Sequence, residues 1–326
     1  MTAPASPTVQ ADNPTPAVAA WAYHDGEIVP AAAAQVPLAT QALQYGTGVF
    51  EGIRAYAAPA GRELIVFRLA DHYRRFLRSC RLLRLDPRPG TVDELAAVTV
   101  DLLRHLGVPQ DTYIRPLGYK YRLLPGSPPG VALRGVSDAV SVLAFALPPY
   151  GGAQGIRCAI SSWTRPSRRA IPVRAKLTGA YVNSALAMDE ARAAGYDDAI
   201  LLNDRGQVAE ATTANVFVVS GGQLLTPPVS ADILEGITRD TVRELAGALG
   251  LSTIERELDP AELLLADEAF LTGTGIGVTP IVEVAGRELG SGRPGPVGAE
   301  LRRRYGEVVR GQHGPYEHWL TRVPLP

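Results

Sequence analysis

The sequence predicts an α+β protein of two lobes, and three observations carry that expectation. At 326 residues the chain exceeds the usual span of one hydrophobic core. Strand-like alternation and helix-like stripes occur on both sides of position 150. Between them, Pro148-Pro149-Tyr150-Gly151-Gly152-Ala153-Gln154-Gly155 is the best connection, because proline and glycine interrupt both kinds of regular structure. The expected organisation is a disordered Pro/Ala-rich leader over 1–20, a first domain over 21–150, a linker at 151–155 and a second domain over 156–326.

Taken in order, 45–56 is a glycine-hinged approach to a strand, built on Gly46, Gly48 and Gly52. Tyr73, Phe76, Leu77, Cys80 and Leu83 then recur at helical spacing, with Arg74, Arg78 and Arg81 mostly off that stripe. Thr91-Val92-Asp93-Glu94 is a capping box that opens a second helix, and Gly107 closes it. Strands are expected at 112–117 and 139–146, with a proline-rich loop at 125–130 between them. Beyond the linker come a strand at 157–162, an alanine-rich helix from about Tyr181 to Ala194 and a strand at 199–202. Asn203-Asp204-Arg205-Gly206 makes the next pair a hairpin, and Gly221-Gly222 does so between 216–219 and 224–225. A helix from near Thr238 carries Val242, Leu245, Ala246 and Leu249 on one face and stops at Gly250.

The bulk numbers remove several classes of function. With 32 basic against 33 acidic residues there is no electrostatic reason to expect nucleic acid or an anionic membrane as partner. The two cysteines, Cys80 and Cys158, are too few for a disulfide framework and lack metal-binding spacing, so no metal is expected and both thiols are assigned to the core. The N-terminal run has no basic segment followed by an apolar one, and no stretch approaches the roughly 20 apolar residues of a membrane helix. A soluble, cytoplasmic protein acting on small molecules is expected.

The chemistry points to 171–184. There Lys176 lies among Ala175, Leu177, Gly179 and Ala180, with Arg174 two residues away. Poor solvation and a nearby cation both favour the neutral amine, which is a nucleophile, and a Schiff base is its natural use. Alone, the same residue reads as a surface lysine at a strand-to-helix junction, since reactive lysines are rare and only partner residues elsewhere overturn that reading. If it carried pyridoxal phosphate, the chain would also need an anion site, a carboxylate for the ring nitrogen and a donor for the ring oxygen. Gly236-Ile237-Thr238 opens a helix and offers free amides and a hydroxyl, although a threonine there also suits simple capping. The run 271–277, with Thr274 between Gly273 and Gly275, allows close backbone approach to a ligand and is not a dinucleotide or Walker fingerprint. Arg75 could clamp a phosphate or belong to the solvated face of Arg74 and Arg78. Glu210, flanked by small residues, could keep a pyridine nitrogen protonated or stand in water at a strand end.

In order and spacing these segments resemble the class IV aminotransferases, the fold-type-IV pyridoxal phosphate enzymes, and among them the branched-chain amino acid aminotransferases. The blocks are 45–54, Tyr113-Ile114-Arg115-Pro116, the Lys176 segment, 210–215, 234–240 and 266–274, which together cover nearly all of the chain after the leader. The resemblance implies a smaller α/β domain and a larger domain with a barrel-like mixed sheet, the cofactor lying between them, and a homodimer or larger even assembly. It implies that Lys176 forms the resting aldimine, Tyr181 donates to the ring oxygen, Glu210 pairs with the ring nitrogen, and Arg75, Ile237, Thr238 and Thr274 hold the phosphate. Tyr45, Phe50 and Gly52 would surround the substrate side chain, Gly275 and Ile276 its carboxylate, and Tyr113 with Arg115 the distal carboxylate of glutamate or 2-oxoglutarate. The implied reaction is ping-pong transamination of a branched-chain or related hydrophobic L-amino acid with 2-oxoglutarate, serving branched-chain amino acid biosynthesis. The alternative is another activity of the same fold: D-amino acid or R-amine transamination, or aminodeoxychorismate lysis. Relatives often carry a Trp-containing segment where this chain has Ala146-Leu147-Pro148-Pro149-Tyr150, and the passage Tyr119-Lys120-Tyr121-Arg122 also differs.

Overall fold

The structure is a computed structural model that describes residues 20–326 apart from 60, 148, 149, 151 and 153. The expected leader up to residue 19 and linker positions 151 and 153 lie outside the described residues.

The first half supplies β1 (Trp21–His24), β2 (Glu27–Pro30), α1 (Gln41–Tyr45), β3 (Gly48–Phe50), β4 (Ile53–Ala57) and β5 (Glu63–Phe67). Helices α2 (Leu69–Leu82) and α3 (Val92–Leu106) follow, then the long hairpin β6 (Thr112–Leu123) and β7 (Val136–Ala146). The predicted apolar stripe of α2 is buried: Tyr73, Phe76 and Cys80 pack with Leu95 and Leu102 of α3 against Ile53, Val66 and Ile114 of the sheet. The capping box at Thr91 and Glu94 is formed, and Gly107 ends α3 in a left-handed conformation at φ 62. Strand β6 runs on through Tyr119, Lys120 and Tyr121 beyond the predicted 112–117. Alternation there is broken because consecutive side chains are buried, Lys120 by pairing with Asp138 at 2.8 Å.

The second half contains β8 (Ile156–Ile160), α4 (Tyr181–Ala193), β9 (Asp198–Leu202), β10 (Val208–Ala211), β11 (Asn215–Ser220), β12 (Gln223–Thr226), α5 (Ile237–Ala248), β13 (Thr253–Glu255) and α6 (Pro260–Leu264). It continues with β14 (Glu268–Gly273), β15 (Gly277–Val284), β16 (Arg287–Glu288), α7 (Pro296–Val309) and β17 (Leu320–Pro324). Strands β10, β9, β8, β15, β14 and β11 pair in that order, and the Glu210↔Asn215 pairing of β10 with β11 closes them into a barrel. Ile156, Cys158, Val216, Leu271 and Ile281 belong to one core cluster of this barrel, while α5 and α7 cover its other face through Phe217, Phe270, Leu245 and Leu301. Both predicted hairpins are present, β9 with β10 and β11 with β12.

Among the described residues, backbone pairing joins the halves at two places. Strand β17 returns to the first sheet and pairs with β5 along its whole length. The lysine segment, although it follows β8, pairs with β3: Leu177 bridges Val49, and Phe50 N donates to the Lys176 carbonyl at 3.0 Å. This crossing requires glycine, since Gly46 has φ +66 and a Cβ on it would come within 2.7 Å of Gly179 Cα. Among the described residues no helix is long and apolar enough to cross a membrane, and both cysteines are free and buried.

Candidate active site

A cavity of about 220 Å³ opens between the two sheets, and every predicted site residue except Tyr45 lines it. A larger groove of about 930 Å³ lies on the far side of Arg75, Gly236 and Ile237. Its arginines are mostly paired, Arg68 with Asp240, Arg78 with Glu235 and Arg239 with Glu255, which leaves the chemistry to the smaller cavity.

Lys176 is fixed by its backbone, its N–H donating to Ser79 Oγ at 3.2 Å and its carbonyl accepting from Phe50. The side chain is thus free to project into the cavity. Nζ donates to Tyr181 Oη at 2.5 Å and lies 4.8 Å from the Phe50 ring centroid. Ala175, Leu177 and Ala180 are buried, as expected from the sequence. Arg174 does not act as the neighbouring cation; it points outward and pairs with both oxygens of Glu235.

Glu210, at the barrel's closing seam, is 5% exposed and so does not stand in water. It pairs with Arg165 at 2.6 Å and accepts from Asn215 Nδ2 at 2.9 Å and Leu234 N at 3.1 Å. Burial raises its pKa, against the opposing influence of Arg165, the Leu234 amide and the charges of Lys176 and Arg239. Sequence reasoning did not single out Arg165. It sits in an aperiodic stretch after β8, and its one local signal is the following Pro166, which favours extended backbone at the preceding residue.

At the opposite end, α5 starts at Gly236 with no side-chain cap, so Thr238 is a first-turn residue and not the capping residue. Among the described residues the amides of Ile237 and Thr238 have no acceptor, which leaves them for an anion at the positive end of the helix. Gly236 is required here because a Cβ would overlap Asn215 Oδ1. Thr274, Gly275 and Ile276 form the tight turn between β14 and β15, held by Arg54 Nη1 donating to the Gly275 carbonyl at 3.2 Å. Beside it, Thr272 Oγ1 is buried with no partner among the described residues. Arg75 departs from the solvated face: Arg74 pairs outward with Asp71, whereas Arg75 is buried on Glu51 and also donates to the Glu235 carbonyl at 2.9 Å.

On the third side, Phe50 meets Tyr181 edge-on with ring centroids 4.6 Å apart, and the Arg115 guanidinium lies 4.7 Å from the Phe50 ring centroid. Arg115 donates to Tyr113 Oη at 3.2 Å, has no carboxylate partner among the described residues, and its Nε is buried without an acceptor. Gly52 accommodates Tyr113, whose hydroxyl a Cβ would overlap. Phe145 and Val173 add apolar wall that the sequence did not reveal, and Leu147 joins them from the 146–150 segment that differs from its relatives. Tyr45 is at the end of α1, 45% exposed.

Free helix amides, a buried carboxylate and a lysine facing a phenol are the kinds of group that suit a phosphorylated pyridine aldehyde. Comparison with known proteins agrees. Residues 48–284 match the family model for amino-transferase class IV. The chain is 39% identical over 305 residues to a probable branched-chain-amino-acid aminotransferase of Aquifex aeolicus, covering 93% of this chain and 96% of that one. It superposes with a TM-score of 0.86, at 43% identity over 93% of this chain and 99% of the other, on the branched-chain aminotransferase of Thermoproteus uzoniensis with norvaline. The branched-chain amino acid aminotransferase of Thermobaculum terrenum in its PLP-bound holo-form gives a TM-score of 0.85 at 39% identity, over 94% and 99% of the two chains. Pyridoxal phosphate is accordingly the cofactor, and the residues around the cavity fit it. With its barrel, its lysine segment stitched to the first sheet and a match spanning most of its length, the chain belongs to the class IV aminotransferases.

Proposed function

We propose that this aminotransferase moves the amino group between a branched-chain or related hydrophobic L-amino acid and 2-oxoglutarate, in two half-reactions at one cavity. The observation that carries the reading is Arg115, a cation without a carboxylate partner among the described residues, set in an otherwise apolar wall of Phe50, Phe145 and Leu147. Such a wall takes an aliphatic side chain by burial, while the guanidinium takes the distal carboxylate of the second substrate. One site can then serve both partners in turn.

When bound, pyridoxal phosphate supplies an electron sink for charge developing at the substrate α carbon. Lys176 would hold it through Nζ, and the same amine would carry the proton from and to that carbon. Tyr181 Oη, at hydrogen-bond distance from Nζ, orients the amine and donates to the ring oxygen. Glu210, backed by Arg165, keeps the ring nitrogen protonated. Arg75, the Ile237 and Thr238 amides and Thr274 bind the phosphate, and the turn at Gly275 and Ile276 receives the substrate carboxylate.

We also infer a homodimer. Leu38 (84% exposed), Leu43 (60%) and Val182 (63%) stand with Tyr45 around the Gly46 and Gly179 crossing, an apolar surface next to the site that a second copy covers. A cytoplasmic location is consistent with the two free thiols. The deciding experiment assays a panel of 2-oxo acids with glutamate as donor, together with D-alanine, an R-amine and aminodeoxychorismate. Turnover of the branched-chain acids with glutamate supports the reading. Preference for one of the other three substrates replaces it with that activity. Borohydride trapping followed by peptide mapping is expected to find the pyridoxyl group on Lys176.

A further inference from the structure

Glu51 lies outside the set of residues assigned to the reaction, yet it is fully buried beside the phosphate end of the cavity. It occupies the bend between β3 and β4, so its two neighbours, Phe50 and Gly52, line the substrate side of the cavity while its own side chain turns the other way. Oε1 accepts from Arg75 Nε at 2.6 Å and Oε2 from Arg75 Nη2 at 2.8 Å, a bidentate pair. Oε2 is also 2.9 Å from His72 Nδ1 and accepts from Gly52 N at 3.3 Å, so the carboxylate is itself held from two sides. His72, Arg75 and Ser79 form a polar stripe on the buried face of α2, and Ser79 Oγ bonds both the Arg75 carbonyl and the Lys176 amide.

Of the five N–H donors of a guanidinium, Glu51 takes two of Arg75's and the Glu235 carbonyl a third. Two remain for an anion, and their direction is set by the carboxylate. Glu51 also neutralises the charge of Arg75, so the arginine contributes to anion binding through oriented hydrogen bonds more than through net charge. We propose that Glu51 is a positioning residue for cofactor binding: it acts through Arg75 to aim the remaining guanidinium donors at the phosphate of pyridoxal phosphate. The inference rests on the reading that Arg75 meets that phosphate. Without the carboxylate, a buried guanidinium has no fixed partner on its Nε edge and keeps only the Glu235 carbonyl among the described residues.

The test uses the full-length chain, stripped of cofactor and titrated with pyridoxal phosphate, with pyridoxal, and with inorganic phosphate as competitor. Glu51→Gln is expected to raise the dissociation constant for pyridoxal phosphate and the inhibition constant of phosphate by about tenfold, with pyridoxal changed less than about twofold. In an Arg75→Ala background the same substitution should change neither further. Equal weakening of pyridoxal and its phosphate, or an undiminished effect of Glu51→Gln in the Arg75→Ala background, would make the pair merely structural and overturn the inference. If Arg75→Ala alone left the preference for the phosphorylated form intact, the underlying assignment of Arg75 would fall first. Should Glu51→Gln not fold, Glu51→Asp keeps the charge but shortens its reach, and the same discrimination between the two aldehydes is expected of it.

Discussion

Arg165 Nη2 stands 2.6 Å from Glu210 Oε1, and both side chains are less than a tenth exposed. A buried pair of this kind is costly to break from one side, because the remaining charge keeps its desolvation cost and loses its nearest counter-ion. Arg165→Leu is expected to lower the stability of the cofactor-free protein by about 3 kcal/mol. Urea unfolding of the variant against the parent checks this, and an unchanged midpoint refutes it.

Arg115→Gln separates the two substrates. Losing a charge-assisted bond worth about 2 kcal/mol should raise KM for 2-oxoglutarate some 30-fold. KM for an aliphatic 2-oxo acid should stay within about twofold, since the wall it touches is unaltered. Steady-state kinetics with both acceptors provide the measurement.

Gly52→Ala places a methyl group where the Tyr113 hydroxyl now lies. The ring has to move, and with it the Arg115 guanidinium that donates to it. Overpacking of this kind costs about 1–3 kcal/mol, which should appear as a fall of about tenfold or more in kcat/KM with 2-oxoglutarate. Parent-like kinetics with that acceptor would exclude the contact.

Burial pushes the Cys80 thiol up to about 12, and that of Cys158 well above its ordinary value. Neither should react with a thiol reagent at pH 8 in the native protein, and both should react once the chain is unfolded in denaturant. Counting modified thiols by intact mass tests both statements at once.

Burial alone would raise the Glu51 pKa, but the Arg75 charge and the hydrogen bonds from Arg75 and His72 override it and hold the carboxyl well below 4.5. A depressed folded pKa gives stability that is complete above the unfolded value and is lost as pH falls towards the folded one. The Tm difference between the parent and Glu51→Gln should therefore shrink as pH falls below about 4.5, where the unfolded carboxyl takes up its proton and the folded one does not. A difference that instead grew on acidification would reverse the sign.

Local patterns were the legible part of this fold. The α2 stripe, the Thr91 box and the turn at Asn203 all depend on residues close in sequence, and each appears where its pattern lies. The positions gathered around the cavity were legible as ordered motifs, because each motif is continuous in sequence. What escaped was supplied across long separations. Arg165 reaches Glu210 from an aperiodic loop, and Glu51 reaches Arg75 from a bend. The influence attributed to Arg174 failed for the same reason: distance along the chain says nothing about Glu235, which captures it. Tyr45 shows the limit from the other side, since a motif residue need not face the cavity of its own chain.

The pairing of β17 with β5 has a consequence for biogenesis. While a ribosome is still adding residues before 320, the β5 edge has no permanent neighbour, so a sheet whose other strands all precede residue 147 is completed only after the barrel residues have been made. A chaperone that shields unpaired edges would have its longest task at β5, and the emergence of β17 would end it.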